Sequence, residues 1–260
     1  MKREIVVLWK FFRLRLEEDM VYRLNFILLL SSFIIYDLFG PVLMVVVYHV
    51  SEGFPNWSFW EVLVLQASAI IVEELWFLFG SRVLFELEQN IISGRFDIYL
   101  IRPLSPLFLL FSSSCFPYGL FTLFVGVFIL GYALPHLNIT LISFLFYLLF
   151  LCSGFLFLIS LIILFSSISV FVVKNKPLRD TIFTLITYGK YPTNIFPKLL
   201  RLIFTFILPI SLIAYFPAKV ILGKLFGFLT LLPFLISLLF FAFSLLSWKV
   251  AIERYSSAGG

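Results

Sequence analysis

Runs of about twenty apolar residues recur along the whole chain, and most of the lysines and arginines lie between these runs. A helix needs roughly 20 predominantly apolar residues to cross the hydrocarbon layer of a membrane. Hydrophobic residues make up 62% of the sequence and charged residues only 13%. The runs are continuous rather than alternating, so they predict helices and not the strands of a membrane barrel. We therefore expect an all-α membrane protein.

The segment from residue 1 to 23 carries too many charges for a cleavable signal peptide. Apolar residues nevertheless recur in it at helical spacing: Ile5, Leu8, Trp9, Phe12, Leu16 and Met20. This spacing predicts an amphipathic helix that lies on the inner membrane surface. The alternative is a simple charged tail. The remaining residues, 24–260, are expected to form one domain with six membrane spans.

Hydropathy places five of these spans at residues 24–47, 59–83, 107–134, 139–173 and 226–248. The third is expected to bend near Pro117, because proline removes a helical hydrogen bond. The fourth is longer than one crossing, so we expect it to tilt or to break near Ser153-Gly154.

The region between the fourth and the last span allows two arrangements. In the first, residues 199–215 form span five. In the second, residues 178–191 form a short span five, and residues 197–223 dip back into the membrane from outside as a broken hairpin. Both arrangements leave at most five of the 19 lysines and arginines outside, which predicts cytoplasmic N and C termini.

The sequence contains no Gly-x-x-x-x-Gly-Lys-Ser/Thr loop, so we expect the chain to bind no nucleotide and no cofactor of its own. His49 and His136 have no carboxylate or cysteine at ligand spacing, so no metal site is expected. The nucleophile elbow of hydrolases and the His-Glu-x-x-His motif are also absent from the sequence. These observations predict that the chain is not an enzyme.

Three acidic residues fall near the middle of predicted spans: Asp37 in the first, and Glu73 and Glu74 in the second. A charge at that depth costs at least about 2.5–3.5 kcal/mol, so these side chains should face protein or water. They either line a transport pathway that selects a cationic or amphipathic substrate, or they are structural acids paired across the bundle or at a dimer interface.

One inner connection has a distinctive pattern. Residues 94–107 read Gly-Arg-Phe-Asp-Ile-Tyr-Leu-Ile-Arg-Pro-Leu-Ser-Pro-Leu. The pattern Gly-x-x-Asp-x-x-Leu-x-Arg-Pro-x-x-Pro-Leu resembles permease subunits of type-2 ATP-binding-cassette (ABC) exporters. Three other segments agree, in the family's order: the amphipathic N-terminus, residues 189–197 with Gly-Lys-Tyr-Pro and Ile-Phe-Pro, and the tail 254–260. The Ser-Ala-Gly-Gly-like tail is similar to that of a poorly characterised branch of the family.

This resemblance implies the second arrangement, with a re-entrant outer hairpin before the last span. It implies a permease that works with two cytosolic ABC ATPase subunits, which bind ATP and Mg²⁺, and with a second permease copy or a paralogue. The expected location is the bacterial or archaeal plasma membrane. Because the basic residues flank the membrane segments, no nucleic acid partner is expected. The competing functions are an integral membrane enzyme acting on lipid and a secondary transporter.

The resemblance also assigns the candidate sites. The inner connection 84–106 becomes the coupling segment, with Phe85, Leu87, Ile91 and Ile92 as apolar contacts for the ATPase. The residues assigned to coupling are Phe85, Glu86, Glu88, Ile91, Gly94, Arg95, Asp97 and Arg102. The alternative is a solvated loop between two spans. The outer gate is assigned to Tyr188, Lys190, Tyr191 and Pro192. Lys190 could instead extend its ammonium group to the outer membrane surface.

Overall fold

The computed structural model describes residues 2–172, 174–225 and 231–256. These residues form helices and connecting turns, and no strand occurs among them. The first helix, α1, covers Lys2–Val21. We name the end of the molecule that holds α1 the α1 end. The opposite end, which holds the turn around Trp57, is named the Trp57 end.

Five stretches of the described residues are helical, long and apolar enough to cross a membrane. They are α2 (Arg23–Val50), α3 (Phe59–Gly80) with its continuation α4 (Val83–Ile92), α7 (Tyr118–Ala133) with the turn after it, α8 (Leu141–Ser169) and α12 (Leu232–Glu253). The predicted all-α membrane class is therefore confirmed. The predicted start of the last span lies in residues 226–230, outside the described residues. Its helix continues to Glu253, beyond the predicted end at residue 248.

α3 forms the centre of the bundle, and most of its side chains are buried. It begins with a capping box, in which the hydroxyl of Ser58 accepts from the backbone N–H of Glu61 and the Glu61 carboxylate accepts from that of Ser58. α7 lies directly against α3 through two glycines. A Cβ atom at Gly119 would lie 2.8 Å from the carbonyl oxygen of Glu74, and one at Gly126 would lie 2.9 Å from the nearest side chain. Such close approach strengthens dispersion contacts between membrane helices.

The third predicted span is divided into α6 (Pro106–Ser113) and α7 by a turn at residues 114–117. The predicted bend near Pro117 is therefore confirmed, as a full interruption. The N–H of Phe116 in this turn donates to the carbonyl oxygen of Leu78 at 2.9 Å and so fastens the turn to the end of α3. Arg15 of α1 donates to the carbonyl oxygen of Ser113, which satisfies one of the acceptors left open at the end of α6.

α1 is helical as predicted, but its apolar stripe divides between two environments. Leu8 and Leu16 are partly buried, and α1 packs on α6. Ile5, Trp9 and Met20 are exposed. The assignment of residues 1–23 to the membrane surface remains a prediction, and the exposed apolar side chains are consistent with it.

α8 is one uninterrupted helix of 29 residues, so of the two expectations, a tilt or a break near Ser153-Gly154, the break is wrong. Gly154 instead makes room for another part of the chain. A Cβ atom at this position would collide with the carbonyl oxygen of Leu212 and lie 3.4 Å from the Cα atom of Ile213. The neighbouring Ser153 donates to Ser237 of α12 at 3.0 Å. These small residues mark a packing surface whose partners are distant in the sequence.

α9 (Lys176–Gly189) has 14 residues and is therefore about 21 Å long, too short to cross the hydrocarbon layer by itself. It begins at the α1 end, where Arg179 pairs with Glu88 at 2.8 Å. After Gly189 the chain continues to the Trp57 end, where Trp57 Nε1 donates to Asn194 Oδ1 at 3.3 Å. Residues 176–195 thus connect the two ends as the short helix α9 followed by a mainly non-helical stretch. We name this stretch, residues 190–195, the exit segment. The helix begins two residues before the predicted residue 178.

Residues 198–224 leave the Trp57 end and return to it as a hairpin. Its elements are α10 (Lys198–Leu202), a π-helical turn (Ile203–Ile207), a 3-10 turn (Ile210–Leu212) and α11 (Tyr215–Ile221). Its innermost part lies against Gly154, near the middle of α8, and against Gly189. Lys224 then returns to the carbonyl oxygen of Asn56 at 3.0 Å. The alternative with a span at residues 199–215 is therefore wrong.

The helix α5 (Phe96–Leu100) lies beyond α4 at the α1 end. It carries Phe96, which is fully buried. The ring of Phe96 contacts the rings of Trp248 in α12 and of Tyr255 after it, with centroids 6.4 and 5.1 Å away. The last described part of the chain is thus packed onto the segment that follows α4.

Candidate functional site

A cluster of charged side chains lies inside the bundle. It consists of Asp37 from α2, Glu73 and Glu74 from α3, and Lys190 from the exit segment. Each of the three acidic residues is at most 5% exposed. Lys190 Nζ lies 2.5 Å from Glu73 Oε2. We name these four residues the buried polar cluster. Pairing is expected at such a position, because an isolated charge is strongly disfavoured where water is excluded.

The other two acids complete the cluster. The hydroxyl of Thr122 in α7 donates to the Glu74 carboxylate. Asp37 faces Glu74, and Glu73 and Lys190 are also close enough to act on its charge. Three carboxyl groups from two helices thus share the cluster with one ammonium group, which is in ion-pair contact with Glu73. The cluster ties α2, α3 and α7 to the exit segment after α9.

Several contacts fix the position of Lys190. The side-chain amide of Gln66 donates to its carbonyl oxygen at 3.0 Å. Its Nζ lies 3.4 Å from the hydroxyl oxygen of Tyr36 and 4.6 Å from the centre of that ring, a cation–π geometry. The alternative in which Lys190 extends to the outer surface is therefore wrong. The ion pair with Glu73 stabilises this position of Lys190 more than hydration of its ammonium group at the membrane surface would.

The other residues assigned to the outer gate lie in different environments. Tyr188 is 45% exposed, and its ring packs near the rings of Phe196 and Phe204 in the next segments. Tyr191 is partly buried and Pro192 is buried. Of the residues assigned to the gate, Tyr188 presents the largest exposed surface. Whether these residues gate transport remains a prediction.

Sequence reasoning placed Lys190 and the three acids in separate sites, and the structure brings them together. A signal for this pairing was present. Lys190 is the one basic residue between Arg179 and Lys198, and a buried carboxylate needs a cationic or polar partner. Once the short span five is accepted, Lys190 is the basic residue nearest to the middle of the bundle.

The coupling segment is only partly exposed. Leu87 and Ile91 are at most 3% exposed, because this face of α4 packs into the bundle. The expectation that Leu87 and Ile91 contact a partner protein directly is therefore wrong for this conformation. The exposed apolar residues of the segment are Phe85, Ile92, Ile98, Leu100 and Ile101. We name these five residues the apolar patch.

The acids of the segment are engaged within the chain. Glu86 Oε1 lies 2.8 Å from Arg15 Nη2 of α1 and 3.5 Å from Arg82 Nη2. Glu88 Oε2 lies 2.8 Å from Arg179 Nη1 of α9. These ion pairs join α4, which carries part of the apolar patch, to α1 and α9.

Gly94 lies in the turn between α4 and α5. Its φ of +68° lies in the left-handed region that glycine adopts without strain. A Cβ atom there would meet no atom within 4 Å, so the backbone conformation and not the available space favours glycine. Of the other residues assigned to coupling, Arg95 and Arg102 are exposed and Asp97 is partly buried. The two arginines are therefore accessible to a partner protein.

A family model described as ABC-2 family transporter protein matches residues 21–259. No curated protein matches the chain. No solved structure matches it either.

Proposed function

The chain belongs to the ABC-2 transporter family, and from this premise we propose that it is the permease subunit of an ABC exporter, driven by a separate ATPase. Its membership of this family and its apolar helices identify the chain as a multi-pass component of a membrane transporter. The direction of transport, the ATPase partner and the pathway are the proposed parts. Membership favours this function over a lipid-modifying enzyme and over a secondary transporter.

The observation that carries the proposal is the apolar patch. Its five side chains are exposed by between 37% and 82% on a short segment between two spans. A surface of this kind is typical of a protein interface. The patch begins on α4, which continues the central helix α3. A force applied to the patch would therefore be transmitted to the helix that carries Glu73 and Glu74.

The distribution of charge supports a cytoplasmic α1 end. Nineteen lysines and arginines occur in the sequence. Only five lie after α9 and before α12, in the exit segment and the hairpin: Lys190, Lys198, Arg201, Lys219 and Lys224. The other fourteen lie toward the α1 end. The positive-inside rule therefore favours cytoplasmic N and C termini and six crossings, with α9 and the exit segment as the fifth.

We propose that two permeases, either two copies or this chain and a paralogue, work with two ATPases in a bacterial or archaeal plasma membrane. Tyr36 and Tyr188, which are 53% and 45% exposed, would face the second permease across the pathway. Glu73 would act as a structural acid, because its charge is already matched by Lys190. ATP and Mg²⁺ would bind to the partner ATPase.

Co-purification tests the docking surface. The full-length permease, expressed together with an ATPase encoded beside it, should retain that ATPase in detergent. Ile98→Glu and Ile101→Glu should reduce the retained ATPase at least about tenfold, because each buries a carboxylate in an apolar interface. Met20→Glu is the matched control, since Met20 is an exposed apolar residue of α1 outside the patch. Full retention by both patch variants would overturn the proposed interface.

A further inference from the structure

A pocket of about 320 Å³ opens at the Trp57 end, between the turn before α3 and the returning hairpin. Its lining residues are Asn56, Trp57, Asn194, Arg201, Tyr215, Lys219 and Lys224. Three of these are basic and none is acidic. The basic residues come from three separate elements, namely α10, α11 and the segment after α11. We name this the cationic pocket.

The walls of the cationic pocket are aromatic and joined by hydrogen bonds. Trp57 and Tyr215 are 6% and 9% exposed, and their ring centroids lie 6.0 Å apart. Trp57 Nε1 donates to Asn194 Oδ1, and Asn194 Nδ2 donates to the carbonyl oxygen of Pro55 at 3.2 Å. These bonds join the turn before α3 to the exit segment. A pocket with fixed walls needs less ordering when a ligand binds.

The aromatic rings also position the cations. Lys219 Nζ lies 4.6 Å from the centre of the Tyr215 ring, and Lys224 Nζ lies 5.2 Å from that of Trp57. Arg201 donates to the carbonyl oxygens of Asn194 and Phe196, at 2.9 and 3.4 Å. Since a guanidinium group carries five N–H donors, these two contacts leave further donors available.

The charges around the pocket do not balance. Glu61 lies 2.6 Å from Lys224 and neutralises it. Among the described residues, neither Arg201 nor Lys219 has a carboxylate partner within ion-pair distance. Basic residues are depleted on the side of a membrane protein opposite to its basic loops. Three of the five basic residues between α9 and α12 nevertheless converge on one pocket.

We propose that the cationic pocket binds a phosphate-type oxyanion, either the headgroup of an anionic phospholipid or a soluble phosphate compound. Arg201 and Lys219 would supply the charge-assisted hydrogen bonds, and the Trp57 and Tyr215 rings would contact the less polar part of the ligand. Donors that approach from several directions suit a tetrahedral oxyanion. This site needs neither ATP nor an ATPase, so it goes beyond the proposed function and does not depend on it.

The test uses the full-length permease in a phosphate-free maltoside detergent, with two probes. Calorimetric titration with inorganic phosphate measures binding of the soluble form. Native mass spectrometry after addition of phosphatidylglycerol or phosphatidylcholine measures retention of the anionic or the zwitterionic lipid. We expect saturable binding of phosphate, or selective retention of phosphatidylglycerol, and the probe that binds identifies the source. If both bind, phosphate should displace the lipid.

Lys219→Gln should weaken the binding of the active probe about tenfold or more, because it removes one charged donor. Arg201→Gln should do the same. Lys219→Arg should retain binding, which controls for local packing. Lys198→Gln is the matched control: it removes the same charge from an exposed residue of α10 that does not line the pocket. Monodispersity and melting temperature are checked for every variant.

Three results would overturn the proposal. The first is a wild-type permease that binds neither inorganic phosphate nor phosphatidylglycerol. The second is unchanged binding by both Lys219→Gln and Arg201→Gln. The third is an equal loss in Lys198→Gln, which would mean that net charge and not the cationic pocket attracts the anion.

Discussion

Two ion pairs hold the two ends of α9, and they differ in their surroundings. At the α1 end, Arg179 pairs with Glu88 at 2.8 Å, and both side chains are partly exposed. Beyond the other end, Lys190 pairs with Glu73 at 2.5 Å; the Lys190 side chain is 17% exposed, but that of Glu73 is only 2% exposed. The first pair joins α9 to α4, and the second joins the exit segment to α3.

The difference shows how a helix too short to cross the membrane is held in place. Both partners of the Arg179–Glu88 pair keep some exposure, so water screens the charges and the pair gains little. Glu73 has lost its hydration, so removing Lys190 leaves a buried carboxylate without its cationic partner. The Glu73–Lys190 pair therefore controls where the exit segment lies, and the Glu88–Arg179 pair only adjusts it.

The strongest test of this difference removes Lys190, the cation that pairs with the buried Glu73. Lys190→Met should lower the free energy of unfolding by about 3–5 kcal/mol, because Glu73 loses its partner. Adding Glu73→Leu should recover most of this loss, since no unpaired charge of the pair then remains. Unfolding by titration with sodium dodecyl sulfate measures both variants. Lys249→Met, at an exposed site, is the control. A double variant as unstable as Lys190→Met alone would contradict the pairing argument.

The next test displaces the hairpin that packs against Gly154 of α8 and against the end of α9. Gly154→Ala places a methyl group against the backbone of Leu212, which cannot move without shifting the hairpin. We expect a loss of about 1–3 kcal/mol in the free energy of unfolding. Gly131→Ala in α7 is the matched control, because a Cβ atom there meets nothing within 4 Å. Equal effects at the two positions would show that the hairpin does not pack against α8 as described.

Removal of the partly exposed Arg179–Glu88 pair should have a smaller effect. Arg179→Gln is expected to cost about 0.2–1 kcal/mol, because Glu88 remains partly hydrated. The same detergent titration measures it, and Arg13→Gln, which breaks an exposed pair within α1, serves as the reference. A loss as large as that of Lys190→Met would remove the distinction between the two ends of α9.

The smallest expected effect concerns pH at the α1 end. Burial raises the pKa of Asp19 above its usual value, although the nearby Arg82 and Arg15 oppose this. The folded state therefore holds the proton more tightly than the unfolded state. As pH rises through the interval above the usual pKa of Asp19, this residue's contribution to stability is lost. Asp19→Asn should make the fall in melting temperature over that interval shallower. An identical pH profile in both proteins would contradict this assignment.

The sequence predicts those parts of the fold that depend on local properties. Long apolar runs identify five of the crossings, and Pro117 marks the interruption between α6 and α7. The short helix α9 and the hairpin followed only from the family resemblance, because 14 residues give no clear hydropathy signal. The packing role of Gly154 was not predicted, since it depends on Leu212, a residue far along the chain.

The candidate sites were predicted less completely, because a side chain's partner depends on the rotation of each helix. Ile91 is apolar, as residues in protein interfaces often are, yet its face of α4 packs into the bundle. Lys190 lies at the end of a helix, where lysines usually extend to water, but a carboxylate within 2.5 Å reverses this preference. A hydropathy profile shows neither the rotation of α4 nor the carboxylate partner of Lys190.

The most direct test of the central claim, that a separate ATPase drives this permease through the apolar patch, is ATP hydrolysis in proteoliposomes. The ATPase would be reconstituted alone, with the wild-type permease, and with a permease carrying both Ile98→Glu and Ile101→Glu. We predict that the wild-type permease changes the hydrolysis rate several-fold and that the double variant, at equal membrane content, leaves it at the level of the ATPase alone. The same rate in all three preparations would contradict the account.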